Sequence, residues 1–81
     1  MNRDELRAVV LTCLTSIAPE VDPAALTPDG LLRDQVDLDS VDWMNFLIAL
    51  HQRTGIEIPD ADVRKLSTLT KLLDYLVARQ A

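Results

Sequence analysis

Cysteine is nearly absent: Cys13 is the one thiol in 81 residues. No internal disulfide can form, and no paired Cys/His spacing exists to hold zinc. A single reduced thiol points to a cytoplasmic setting. Long apolar runs are missing too, and no segment approaches the length of a membrane span. The start, Met-Asn-Arg-Asp-Glu, leads into an amphipathic pattern rather than the unbroken apolar stretch of a signal peptide. Basic charge is scarce, with 8 Lys and Arg against 13 Asp and Glu and a net charge of −5. Such a chain repels phosphate backbones and anionic membrane surfaces, which argues against nucleic acid as a partner. Partners with basic patches are favoured, because complementary charge speeds encounter. This length supports one domain, residues 1–81, with one modest core, expected as a monomer.

The acidic excess is unevenly placed. Residues 1–28 carry −2, residues 29–42 carry −4 and residues 43–81 carry +1. The short middle stretch holds Asp29, Asp34, Asp37, Asp39 and Asp42 against Arg33 alone. A solvated loop explains such a run without any function. Its position, immediately before and into a helix, gives it further interest.

Hydrophobic spacing sets out an all-α chain. Leu6, Val9, Val10, Cys13, Leu14 and Ile17 form one stripe of a helix over 3–17, which Pro19 stops. Residues 18–38 form a long connection with turn signals at Val21-Asp22-Pro23 and Thr27-Pro28-Asp29-Gly30. Leu26, Leu31, Leu32, Val36 and Leu38 are expected to pin it to the core. A loop this long in so small a chain is often functional. A second helix spans 40–54, with Asp39 as N-cap, Asp42 as a short capping-box acid and Gly55 as its stop. Ile56-Glu57-Ile58-Pro59 is extended. Asp60 is expected to cap a short helical turn through Lys65, and Ser67 or Thr68 a last helix over about 69–80. Leu69, Leu72, Leu73 and Leu76 make the last helix's stripe. The architecture is a bundle of three main helices plus one short helix, closed by the long first loop.

The second helix has two apolar faces. At about 100° per residue, Trp43, Phe46, Leu47 and Leu50 cluster on one side and should enter the core. Val41, Met44 and Ile48 fall on another, bordered by Ser40 and His51 on one flank and Asn45 and Gln52 on the other. A small bundle rarely buries two faces of one helix, so the second stripe is a candidate docking surface. Burial all round is the alternative. Ser40, at the first helical position, sits where unpaired N–H groups and a partial positive charge favour a nearby phosphate. Taken alone, Asp39-Ser40 is an ordinary helix cap.

The wider order of motifs adds weight. Leu31-Leu32-Arg33-Asp34 is followed by Asp39-Ser40-Val41-Asp42 and Leu47-Ile48-Ala49-Leu50. Gly55-Ile56-Glu57-Ile58-Pro59-Asp60, Leu66-Ser67-Thr68-Leu69 and Leu72-Leu73-Asp74-Tyr75-Leu76 complete it. Over nearly its whole length the chain resembles the acyl carrier protein family. The resemblance implies that Ser40, next to Asp39, receives 4′-phosphopantetheine from coenzyme A through a separate Mg-dependent phosphopantetheinyl transferase. The arm's thiol would hold acyl groups as thioesters for acyl-loading and acyl-transfer enzymes of fatty acid, lipid or secondary-metabolite synthesis. The carrier itself would catalyse nothing. The family's docking positions fall on Val41, Met44 and Ile48, with Asp42 and Asn45 beside them.

Departures from the family pattern matter. Many members have Gly-x-Asp-Ser-Leu where this chain has Asp37-Leu38-Asp39-Ser40-Val41. Asn45, His51, Gln52 and Arg53 stand where fatty-acid carriers commonly have acids. Trp43 is bulky where a small residue is frequent, and is expected to narrow any shelter for an acyl chain. These differences suggest a specialised carrier with a dedicated loading enzyme. An aminoacyl or peptidyl carrier, or an unmodified helical docking module, remains an alternative. Asp34, Asp37, Asp39 and Asp42 lack the glycine and distal glutamate of a calcium loop, so only weak surface binding of a divalent ion is left open. His51 has no nucleophile arranged around it, and no acid/base or metal constellation supports an enzyme.

Overall fold

The first helix, α1 (Arg3–Ile17), begins at a reciprocal cap. Asn2 Oδ1 accepts from the Glu5 N–H at 2.8 Å, and Glu5 Oε1 accepts from the Asn2 N–H at 3.1 Å. This satisfies two of the four orphan donors. The computed structural model containing it describes residues 1–80. Leu6, Val10, Cys13 and Leu14 are fully buried, while Val9 and Ile17 are half-buried at the stripe's margins. Burial pushes the Cys13 thiol's pKa up, with the charge of Arg53 pulling the other way. The thiol behaves as a small core hydrophobe.

The long connection is ordered by its own short elements. A 3-10 turn spans Pro23–Ala25 and a one-turn helix, α2, spans Leu32–Gln35. The Thr27 N–H donates to Gln35 Oε1 at 2.6 Å, and Gln35 Nε2 donates back to the Thr27 carbonyl at 3.0 Å. Leu31 forms an isolated antiparallel bridge with Thr68, and the Leu32 N–H donates to the Ser67 carbonyl at 2.9 Å. Leu32 and Val36 reach the core, and Leu26 and Leu38 pack half-buried against it. Leu31 departs from expectation, being 50% exposed. Leu31 is the extended N-cap of α2, held by its backbone bridge to Thr68, while Leu32, the first helical residue, takes the core position.

α3 spans Ser40–Thr54. Asp39 Oδ1 accepts from the Asp42 N–H at 2.8 Å, as the sequence suggests. The return bond of a capping box does not form, since an aspartate side chain is one methylene shorter than the glutamate the box uses. Gly55 ends the helix at φ 71°, the left-handed region that favours glycine. Trp43, Phe46 and Leu50 are buried, with Leu47 only half so.

α4 (Asp60–Val63) departs from the expected cap: Pro59 is its N-cap, Asp60 is already helical, and no side chain caps it. α5 (Leu69–Arg79) is capped by Thr68, whose Oγ1 accepts from the Lys71 N–H at 3.1 Å. Its four leucines, Leu69, Leu72, Leu73 and Leu76, are buried. α1 packs chiefly on α3 and also on α5. The described residues thus form an all-α bundle of three main helices, with two short helices rather than the one expected. α2 escaped notice because a single turn is too short to show periodicity.

Asp62 staples α4 to α5. Tyr75 Oη donates to Asp62 Oδ2 at 2.7 Å, with Arg79 Nη2 at 3.2 Å and Lys65 Nζ at 3.4 Å from the same carboxylate. The Tyr75 bond outweighs the opposing effect of burial and, with lesser help from Lys65 and Arg79, holds the Asp62 carboxyl below its ordinary value of 3.8. A folded-state pKa below the unfolded one adds stability above the unfolded value, and that stability is lost as pH falls through the folded value. Asp62→Asn is therefore expected to lower the urea midpoint at neutral pH. The gap from the unmodified chain should close as pH is taken below 3.8. A gap independent of pH would show that the carboxylate's charge is not what binds the two helices.

Candidate functional site

The amino end of α3 is where sequence and structure converge. Ser40 is its first residue, is exposed, and follows the Asp39 cap. The cap occupies the Asp42 N–H but leaves other first-turn donors free, and the helix dipole adds partial positive charge there. These donors would favour a phosphoester on the Ser40 oxygen, against the opposing charge of Asp39 and Asp42 beside it.

The second stripe of α3 is exposed. Val41 is 66% exposed, Met44 62% and Ile48 48%. Asn45 is exposed beside them and Asp42 is half-buried. Helical geometry places Val41, Met44, Asn45 and Ile48 within one arc of about 100°, with Ser40 adjacent to Met44. The candidate attachment and docking residues therefore share one continuous surface. His51, at the far end of α3, is exposed. Among the described residues, no group of three or more His, Cys, Asp or Glu is placed to hold a metal ion, so the aspartates of residues 34–42 do not converge on one.

A cleft of about 360 Å³ opens on the other flank of Ser40, between α2, α3 and the approach to α5. Leu31, Trp43, Val63 and Leu66 supply its apolar lining, with Arg33, Arg64 and Ser67 around them. The Arg33 guanidinium carbon lies 5.8 Å from the centre of the Trp43 ring, within cation–π range. Trp43 is 7% exposed, so the bulky residue noted in the sequence forms a wall of this cleft as well as part of the core. Arg33 and Arg64 were not legible as site residues. Arg33 lies on α2 and Arg64 just past the end of α4, far apart in sequence, and no local pattern joins them.

Residues 8–76 match the family described as a phosphopantetheine attachment site. The acyl carrier protein of Rubrobacter xylanophilus is 30% identical over 80 residues, covering 99% of this chain and 98% of the relative. That of Thermosynechococcus vestitus is 31% identical over 80 residues, covering 94% and 93%. Among solved structures, the acyl carrier protein from Enterococcus faecalis superposes with a TM-score of 0.77. It is 26% identical, with 99% of this chain and 100% of that chain covered.

Proposed function

The chain belongs to the acyl carrier protein family, and from that premise we propose that Ser40 is the residue that bears its covalent 4′-phosphopantetheine. The observation carrying this reading is the exposed Ser40 at the amino tip of α3, beside an exposed apolar stripe. When attached, the group supplies a thiol on a flexible arm, which holds acyl groups as thioesters. The chain's own residues do the rest. Asp39 fixes where α3 begins and so where the hydroxyl stands. The N-terminal donors of α3 favour the phosphoester charge. Residues 1–81 act together as one monomeric carrier without catalytic chemistry of its own. The buried, reduced thiol of Cys13 fits work in the cytoplasm. No helix among the described residues is long and apolar enough to cross a membrane.

Partners are a phosphopantetheinyl transferase and the enzymes that load and unload acyl groups. They are read as docking on Val41, Met44 and Ile48, with Asp42 and Asn45 at the edge. Only residues 29–42 are strongly acidic, so a partner's basic patch belongs at the Ser40 end and an apolar contact further along α3. Incubation with coenzyme A, Mg²⁺ and a phosphopantetheinyl transferase is expected to add one arm to the intact mass. An unchanged mass with every transferase tried would refute the reading.

Docking has its own test. Ile48→Glu is expected to lower kcat/KM for arm transfer about tenfold, or ~1.4 kcal/mol, as for loss of one interface anchor. Its unfolding free energy should stay within about 0.5 kcal/mol of the parent's, as for an exposed site. An unfolded variant would place Ile48 in the core instead.

A further inference from the structure

We propose that the cleft beside Ser40 receives a short acyl group whose far end is a carboxylate, held by Arg33 and Arg64 over the Trp43 indole; this rests on Ser40 bearing the arm. Trp43 is three residues beyond Ser40 on α3, about 4.5 Å further along the axis and on a neighbouring row. The acyl group hangs at the far end of the arm, so the flexible arm folds back along α3 to place it in the cleft. At about 360 Å³ the cleft is at the small end of ligand sites, which suits a short spacer rather than a long chain.

Charge selects what ends that spacer. The chain carries −5 overall and −4 in residues 29–42 alone, yet no carboxylate lines the cleft among the described residues. Its charged lining is two guanidinium groups. The ion pairs among the described residues use Arg3, Lys65 and Arg79, leaving Arg33 and Arg64 outside them. Asp62, on the same short helix as Val63, is turned to Tyr75 and Arg79 instead. A guanidinium offers a planar fork that matches a carboxylate, and Arg33 is already steered by the indole beneath it. The apolar lining from Trp43, Val63 and Leu66 favours an alkyl spacer between thioester and carboxylate.

The test compares two thioesters of equal carbon number on the arm-bearing chain, one ending in methyl and one in carboxylate. Intact mass first verifies loading. Two readouts follow: emission of Trp43, the one tryptophan in the chain, and the rate of thioester cleavage by hydroxylamine. The carboxylate-ended group is expected to shift Trp43 emission and to resist cleavage about threefold longer, as for docking two-thirds of the time. Arg33→Gln/Arg64→Gln, and Arg64→Gln alone, should remove both effects. Equal behaviour of the two thioesters, or protection that survives both variants, overturns the inference while leaving Ser40 intact as the attachment point. Failure to load appears in the mass and takes both readings down together.

Discussion

Ser40→Ala is expected to end arm attachment completely while leaving the fold unchanged. The reaction needs one oxygen in one place, so its removal should leave no residual loading rather than a slower one. Structure gives little reason for collateral damage. Ser40 is exposed at the first helical position, and alanine is the better helix former there. The cap belongs to Asp39, which the substitution leaves untouched. Stability should therefore stay within about 0.5 kcal/mol of the parent chain. Other hydroxyls are poor substitutes: Thr68 also stands at a helix start, but it is 6% exposed and already accepts from the Lys71 N–H. Intact mass after incubation with coenzyme A and transferase, read beside a thermal melt, checks both halves. An added arm on the variant would move the attachment point elsewhere. A collapsed melt would make Ser40 a structural residue.

Much of this was legible because α3 carries its message in local spacing. Two stripes at 100° per residue predicted one buried and one exposed face, and the burial of Trp43, Phe46 and Leu50 against the exposure of Val41, Met44 and Ile48 follows that division. Asp39, Gly55 and Thr68 act as the punctuation their chemistry suggests. What failed was either too short or too distant to leave a pattern. The Asn2–Glu5 capping box lies outside the apolar spacing that sets out α1, although Asn2 followed three residues later by Glu5 is signal enough. Leu31 looked like core because it is leucine, but its backbone pairing with Thr68 and the inward turn of Leu32 decide otherwise. Asp60 yielded the cap position to Pro59. The Arg33–Trp43–Arg64 cleft depends on loop, α3 and α4 meeting, which no window of sequence contains.

Phe46→Ala should have the largest effect on stability, and it tests whether the two faces of α3 are energetically as different as they are geometrically. Phe46 is fully buried, with its ring centre 5.4 Å from that of Trp43 at an interplanar angle of 39°. Truncating a buried phenylalanine costs ~3–5 kcal/mol, from lost transfer free energy and the cavity left behind. Native domains hold only about 5–15 kcal/mol in all, and a chain of this size has one modest core to draw on. The variant is expected to lose most or all of its cooperative urea transition, and Trp43 emission should shift to the red as its neighbour disappears. Met44→Ala, two residues earlier on the same helix but 62% exposed, should change the unfolding free energy by no more than about 0.5 kcal/mol. Similar costs for the two substitutions would mean that the Met44 face is packed rather than presented. With no exposed stripe beside Ser40, a loading enzyme would have nothing apolar on α3 to grip. A large difference leaves α3 with one face holding the bundle together and the other free to meet a partner without loosening it.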